Sequence, residues 1–551
     1  MKRFFIFGII ILPILLTACQ KYAVTSDSTP EVVKQETIIN PTSVPNPTPI
    51  STPTNPNHPL SLTREAKNTY WFDDSIPVNV QTALCFPEGV STANSKSQAG
   101  AWLTLGRGSV LAYRSVYALA GRFDLLVDGV TMGELKSAWQ GQGEWNLAMS
   151  HETYQGFKGD WGATNSILIV DDLEELVNQV WNTEGMLIIL PFDNLIPRLK
   201  VLNVDGMSVL DKKLNTIKYP LTLNYYWQGD PPLLNLMNAA CEPGTNRDLA
   251  MLTDVLMSGV SALTRGTAAK MVEEGVTYPA RDILNWLKAA DITHISHEVS
   301  FFIDCPDPLP IRAGGRFCAQ PEFLELFIHA GVDVVELTGN HLNDWGTDAL
   351  IDSISMYQEA GIKLFGGGIN AETARQPLLV EHNGNRLAFL GCNATGPDSD
   401  WAKESLPGSA YCDLDWLSAE VSRLKNDGYL PIVTFQAFEI CDYAPHSSQR
   451  VLADQMVGAG AVIVSGSQAH CPQAYRIEGE TFIHYGLGNL WFDQMDWLSR
   501  QETLDRHVFY NGRHISTEIF TAILEDSARP RPMTADERRF ILEMIFNASQ
   551  W

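Results

Sequence analysis

Asn340, His341 and Asp344 fall within five residues, directly after the apolar positions Val334, Val335 and Leu337. An amide oxygen, an imidazole and a carboxylate at this spacing supply a hard ligand, a proton carrier and a partner to orient it. Other polar residues follow other apolar runs in the same way. Glu298 follows "THISH", Glu439 follows "LPIVTFQAF", Gln468 and His470 follow "AVIVSGS", and Asn489 follows "TFIHYGLG". Taken singly, each has an ordinary reading. An Asn after a strand forms a turn, Asp344 caps a helix starting near Thr347, and a lone His is a hydrogen-bonded surface or core residue. The recurrence at the ends of several runs points instead to one shared site, suited to a divalent cation or a phosphate-like substrate.

A site of that kind needs strands that end together. From 248 to 500, strand-like runs alternate with amphipathic helical ones, which predicts a layered α/β fold. "THISHEVSFFI", "VDVVELTGNH", "NRLAFLG", "LPIVTFQ", "GAVIVSG" and "TFIHYGLGN" read as strands. "VTYPARDILNWLKAA" places Ile283, Leu284, Leu287 and Ala290 on one helical face, and "TDALIDSISMYQEAG" does so with Leu350, Ile354 and Tyr357. In open α/β sheets, sites form beyond the carboxyl ends of the strands. The residues singled out above would all stand there.

The rest of the chain sets the context. Its 551 residues suggest several domains, and a formal net charge of -25 excludes a nucleic-acid partner. Lys2 and Arg3, the apolar run from Phe4 to Leu16, and Leu16-Thr17-Ala18-Cys19 read as a secretory signal over 1–19 that resembles the bacterial lipoprotein type, an ordinary signal or an uncleaved anchor being the alternatives. Cys19 would carry the lipid, so the expected location is extracytoplasmic, anchored to the bacterial cell membrane. Residues 20–64 are a tether rich in Pro and Thr. A smaller α/β domain is expected over 65–247, with a helix at Met132–Trp139, and a charged appendage over 501–551 whose last helix lies near Ala535–Phe546. Eight further cysteines in an exported chain read as disulfides. Nearest-neighbour order pairs Cys85 with Cys241, Cys305 with Cys318, Cys392 with Cys412 and Cys441 with Cys471.

"ISHEVS", "ELTGNHLNDWG", "FEICDYAPHSSQRVLADQMVGAGAVIVSGSQAHCPQ" and "TFIHYGLGNLWF" resemble the CapA family of bacterial capsule synthesis proteins, the poly-γ-glutamate type related to calcineurin-like metallophosphatases. The resemblance implies an αββα sandwich over 248–500. It implies metal ligation by Glu298, Asn340, Glu439 and His470, and catalysis by His341 with Asp344. His297, Gln468 and Asn489 would contact substrate, with His297 also a substitute ligand. The cofactor implied is one divalent ion (Mn, Zn or Mg) or none. The partners implied are a surface polymer or its precursor and capsule-synthesis membrane proteins.

Four departures bear on activity. The family's Gly-Asp is Gly259-Val260 here, and its Asn-Leu-Glu is Ser296-His297-Glu298. Its His-Trp-Gly is Phe435-Gln436-Ala437, with Phe435 expected to dry the pocket, and its His-Pro-His is Gln468-Ala469-His470. A metal-dependent hydrolase and an inactive binding or assembly lipoprotein both remain open. Ahead of this region, "VDGVTMGELKSAWQG", "IILPFDNLIP", "LNVDG" and "YPLTLNYYW" resemble a lobe of a phosphate-type periplasmic solute-binding protein. That resemblance implies a ligand cleft; a ligand-free scaffold is the alternative.

Overall fold

The computed structural model describes residues 67–72, 74–309, 315–549 and 551. The signal segment, Cys19 and the tether at 20–64 lie outside them. Among the described residues no helix is long and apolar enough to cross a membrane.

Two sheets face each other in the second half of the chain. The first has seven strands in the order Lys363–Phe365, Val334–Glu336, Ile292–His297, Leu252–Ser261, Gln501–Tyr510, Arg513–Glu525, Arg529–Pro532. The second has six, in the order Leu378–His382, Asn385–Asn393, Leu430–Gln436, Ile463–Ser467, Thr481–His484, Tyr475–Glu478. Leu252–Ser261 runs parallel to Ile292–His297 and antiparallel to Gln501–Tyr510. The region from 501 onward is therefore no appendage: three of its strands complete the first sheet. Its charge suggested surface, yet Glu502, Asp505 and His507 are buried.

Strand alternation divides the core into three layers. Ile295, Val335 and Leu337 pack outward from the first sheet against helices that include Leu324–Ala330 and Thr347–Glu359. Leu390, Val433 and Val464 pack outward from the second sheet beneath Leu414–Asn426 and Ser447–Ala459. Between the sheets lie Val255, Ile292, Val334, Leu387, Ile432 and Ile463. This is the αββα sandwich the sequence implied. The helix expected over "VTYPARDILNWLKAA" is shorter, Leu284–Ala289, preceded by a 3-10 turn at Tyr278–Ala280. Pro279 cannot supply the N–H an α-helix would need there.

The space between the sheets changes character along the strands. It is apolar at their amino ends and polar toward their carboxyl ends. Along one strand the inward positions are Ile292, His294 and Ser296, then Glu298 just beyond it; along another they are Val334, Glu336 and Thr338, then Asn340. His294 reaches Glu336 (3.3 Å), and His484 reaches Asp505 (2.7 Å). His507 and His514 lie 5.3 Å apart, ring to ring.

Ahead of the sandwich, an eleven-stranded sheet is organised around the long strand Val110–Arg122, with the helices Met132–Trp139, His151–Trp161 and Leu173–Asn182. Lys212 from this region pairs with Asp254 (2.7 Å) and Asp291 (2.8 Å) of the sandwich. All four expected disulfides form. Three of them, Cys305–Cys318, Cys392–Cys412 and Cys441–Cys471, tie loops at the carboxyl ends of sandwich strands.

Candidate functional site

Glu298 leaves its strand buried, its N–H donating to the Ser261 carbonyl (3.1 Å). The neighbouring chain passes so close that a Cβ on Gly339 would come within 2.3 Å of the Glu298 Cα. Glycine at 339 therefore lets Asn340 and Glu298 end side by side. From the second sheet, Gln436 extends between them. Its Nε2 donates to Asn340 Oδ1 (3.2 Å), to Glu298 Oε2 (3.4 Å) and, more closely, to Gln468 Oε1. Ser467 holds the other end of this amide by donating to Gln436 Oε1 (2.6 Å). Gln468 and His470 both adopt left-handed backbone, φ +73° and +57°. Residues other than glycine pay for that conformation, and such strain clusters at functional loops.

Two pairs flank this centre. His341 Nδ1 meets Asp344 Oδ2 (2.9 Å), which also accepts from the Phe317 N–H (2.7 Å). Asp344 thus orients His341, while the helix Thr347–Glu359 has Gly346 at its N-cap and no side-chain cap. Burial opposes the His341 cation. The Asp344 hydrogen bond and the charges of Glu298, Asp344 and Asp400 outweigh it, so its pKa is raised. On the other flank His470 Nδ1 meets Asn489 Oδ1 (2.8 Å), and Asn489 Nδ2 donates to the Ser499 carbonyl (3.0 Å).

Three sequence expectations need correction. His297 points to the opposite face from Glu298. Its Nδ1 meets the Tyr357 hydroxyl (2.7 Å) among Phe301 and Phe327, deep in the helix-side core, so it is neither ligand nor substrate contact. Glu439 is exposed in the loop after Leu430–Gln436 and makes no hydrogen bond or ion pair with the described residues. Phe435 packs under the helices and does not line the pocket. The side chain facing inward from that strand is Gln436, to which the sequence reading gave no role of its own.

Asp400 was also missed. It accepts from the Asn343 N–H (2.8 Å), and burial, with Asp344 nearby, pushes its carboxyl up to about 6. It sits in an irregular loop with no periodic signal, although Asn343 beside His341 anchors that loop through the Ser399 and Pro407 carbonyls.

The residues present do not fit a resident divalent ion. Among the described residues, Glu298 is the only carboxylate that contacts the Gln436 amide; amides supply the other oxygens there. The Gln436 Nε2 hydrogens occupy the point on which those oxygens converge. An amide NH2, with two hydrogens to share among them, thus stands among the acceptors that a cation would otherwise draw together. Among the described residues no group of three or more His, Cys, Asp or Glu is placed to hold a metal.

The region before the sandwich has its own cleft, about 510 Å³, lined by Ser150, Glu152, Thr153, Asp171 and Asp193. Burial and the neighbouring Asp171 and Asp193 raise the Glu152 pKa. Three carboxylates, Glu152, Asp171 and Asp193, give this cleft an acidic lining.

A two-sheet αββα sandwich between helices, with polar side chains gathered at the strands' carboxyl ends, is the class of fold this part of the chain adopts. Residues 254–494 match the family described as bacterial capsule synthesis protein PGA_cap. The chain is 27% identical over 320 residues to the capsule biosynthesis protein CapA of Bacillus anthracis, covering 56% of this chain and 77% of that protein. It is 27% identical over 206 residues to the PGA biosynthesis protein CapA of Bacillus subtilis (strain 168), covering 37% of this chain and 53% of that one. It thus spans about half the length of the latter relative. Among solved structures, the NAD nucleotidase NadN of Haemophilus influenzae is similar, with a TM-score of 0.30 and 10% identity over 53% of this chain and 55% of that one.

Proposed function

We propose that this protein takes part in the synthesis or handling of a capsule or poly-γ-glutamate-like surface polymer, through a pocket that binds polar ligand groups without a metal. Relatives named for capsule and PGA biosynthesis support the setting. The lipoprotein signal supports an extracytoplasmic chain anchored through Cys19, within reach of the polymer, its precursor and capsule-synthesis membrane proteins. The observation that carries the reading is Gln436, whose amide joins Asn340, Glu298 and Gln468 into one polar cluster. Such a cluster is a rigid recognition surface.

A hydrolase is the second reading, and His341 favours it: the imidazole is oriented by Asp344 and kept protonatable. One preparation separates the two. Purified chain is dialysed against Mn²⁺ or Zn²⁺, assayed for bound metal, and tested for phosphomonoester and phosphodiester hydrolysis and for retention on immobilised surface polymer. The binding reading expects substoichiometric metal, no turnover and retention. Metal-dependent turnover abolished by His341→Ala would overturn it.

A further inference from the structure

A second cavity, about 290 Å³, lies along the seam between the first region, the sandwich and the last helix. None of its lining residues belongs to the pocket described above. Phe123, Asp128, Lys200 and Asn203 come from the first region, Trp286 and 517–521 from the sandwich, and Arg538, Leu542 and Phe546 from Ala535–Ser549. Its walls are largely apolar. Trp286 and Phe520 stack with ring centroids 4.9 Å apart, and Ile519, Met533 and Phe546 stand beside them.

Its polar end is rich in donors. Lys200 and Arg538 share one carboxylate: Lys200 Nζ is 2.7 Å from Asp128 Oδ1, and Arg538 Nε and Nη2 are each 3.0 Å from Asp128. Lys200 also donates to the Leu125 carbonyl (2.7 Å), which leaves one of its three N–H groups unspent. The Asn203 side-chain amide makes no hydrogen bond with the described residues. Glu518, the other carboxylate in the lining, is taken by Arg506. Burial lowers the Lys200 pKa, as expected of an ammonium whose counter-charge is shared. Cavities at domain junctions, mostly apolar with a few converging polar groups, are where small ligands bind, and this one is at the small end of their range of roughly 300 Å³ upward.

We propose that this seam is a binding site for a small amphipathic acid, its carboxylate on Lys200 and Asn203 and its apolar body between Trp286, Phe520 and Met533. An occupant would touch all three parts of the chain at once. The site and its ligand class are independent of the reading given for the Gln436 pocket.

The test uses the full chain with octanoate as probe and octanamide as its uncharged counterpart, each titrated calorimetrically. The expected result is saturable one-to-one binding of octanoate, weakened at least tenfold by Lys200→Met with octanamide affinity unchanged, and weakening of both probes by Trp286→Ala. Asn203→Leu, which leaves the Asp128 ion pairs intact, gives the deciding comparison if Lys200→Met lowers the melting temperature and loses both probes. The proposal is overturned if the unaltered chain binds no octanoate, or if the folded variants bind both probes as the unaltered chain does.

Discussion

Acid should loosen the sandwich from its interior, and His514 shows by how much. Its ring is buried between the sheets, where Nε2 meets the Ser516 carbonyl (3.0 Å) and Thr517 Oγ1 (3.0 Å). Burial, only partly offset by the Ser516 contact, holds its pKa down to about 3 from an ordinary 6.5. A histidine depressed on folding contributes its full stability above 6.5 and loses it as pH falls from there toward 3. At pH 5 the unfolded imidazole is almost fully protonated and the folded one almost fully neutral. That difference is worth ~2 kcal/mol, one and a half pH units at 1.36 kcal/mol each. His507, whose pKa is also lowered by burial and by the neighbouring His514, His484 and His294, adds in the same direction.

The assay is urea unfolding followed by tryptophan fluorescence at pH 7.5 and pH 5.0. His514→Gln cannot titrate but keeps a donor for the Ser516 carbonyl. With a denaturant slope of about 3 kcal/mol per molar, the loss of midpoint on acidification should be smaller in the variant by roughly 0.7 M. Equal losses in the two proteins would refute the reasoning.

Three further outcomes are expected. Gln436→Ala deprives Glu298, Asn340 and Gln468 of their shared donor; it should cost about 1–3 kcal/mol, and Mn²⁺ should raise the melting temperature of the variant but not of the unaltered chain. Replacing Cys441 and Cys471 together by Ser opens a loop spanning 30 residues and should cost about 3–4 kcal/mol in equilibrium unfolding, with matching destabilisation on reduction. Asp254→Asn removes the fully buried carboxylate that joins Lys212 and Arg506, and should cost about 3–5 kcal/mol by thermal melting.

The sandwich was legible because its strands are short, apolar and punctuated, and because their polar ends recur. Which residue of a polar pair faces inward was not. In Ile292–His297 and its continuation, His297 and Glu298 differ only in parity, and a one-residue choice sends a side chain to the opposite face. The same parity put Phe435 under the helices and Gln436 among the polar groups between the sheets. Gln436 stood only as a departure from the family motif, with no role of its own, because it carries no charge; its role comes from acceptors on distant strands. The hairpin Gln501–Tyr510 and Arg513–Glu525 was unreadable for a related reason. Its charges are matched by partners elsewhere, as Arg506 is by Asp254 and Asp505 by His484, and no local pattern announces such matches.

The grading of the space between the sheets also bears on how such a protein can change. The apolar amino ends hold the two sheets together, while the carboxyl ends carry side chains whose identity adds little to that adhesion. Substitutions at inward-facing carboxyl-end positions such as 298, 340, 436 and 468 can therefore change what those ends recognise while the same scaffold persists. In this architecture chemical identity and mechanical integrity are inherited from opposite ends of each strand, so drift in the first need not erode the second.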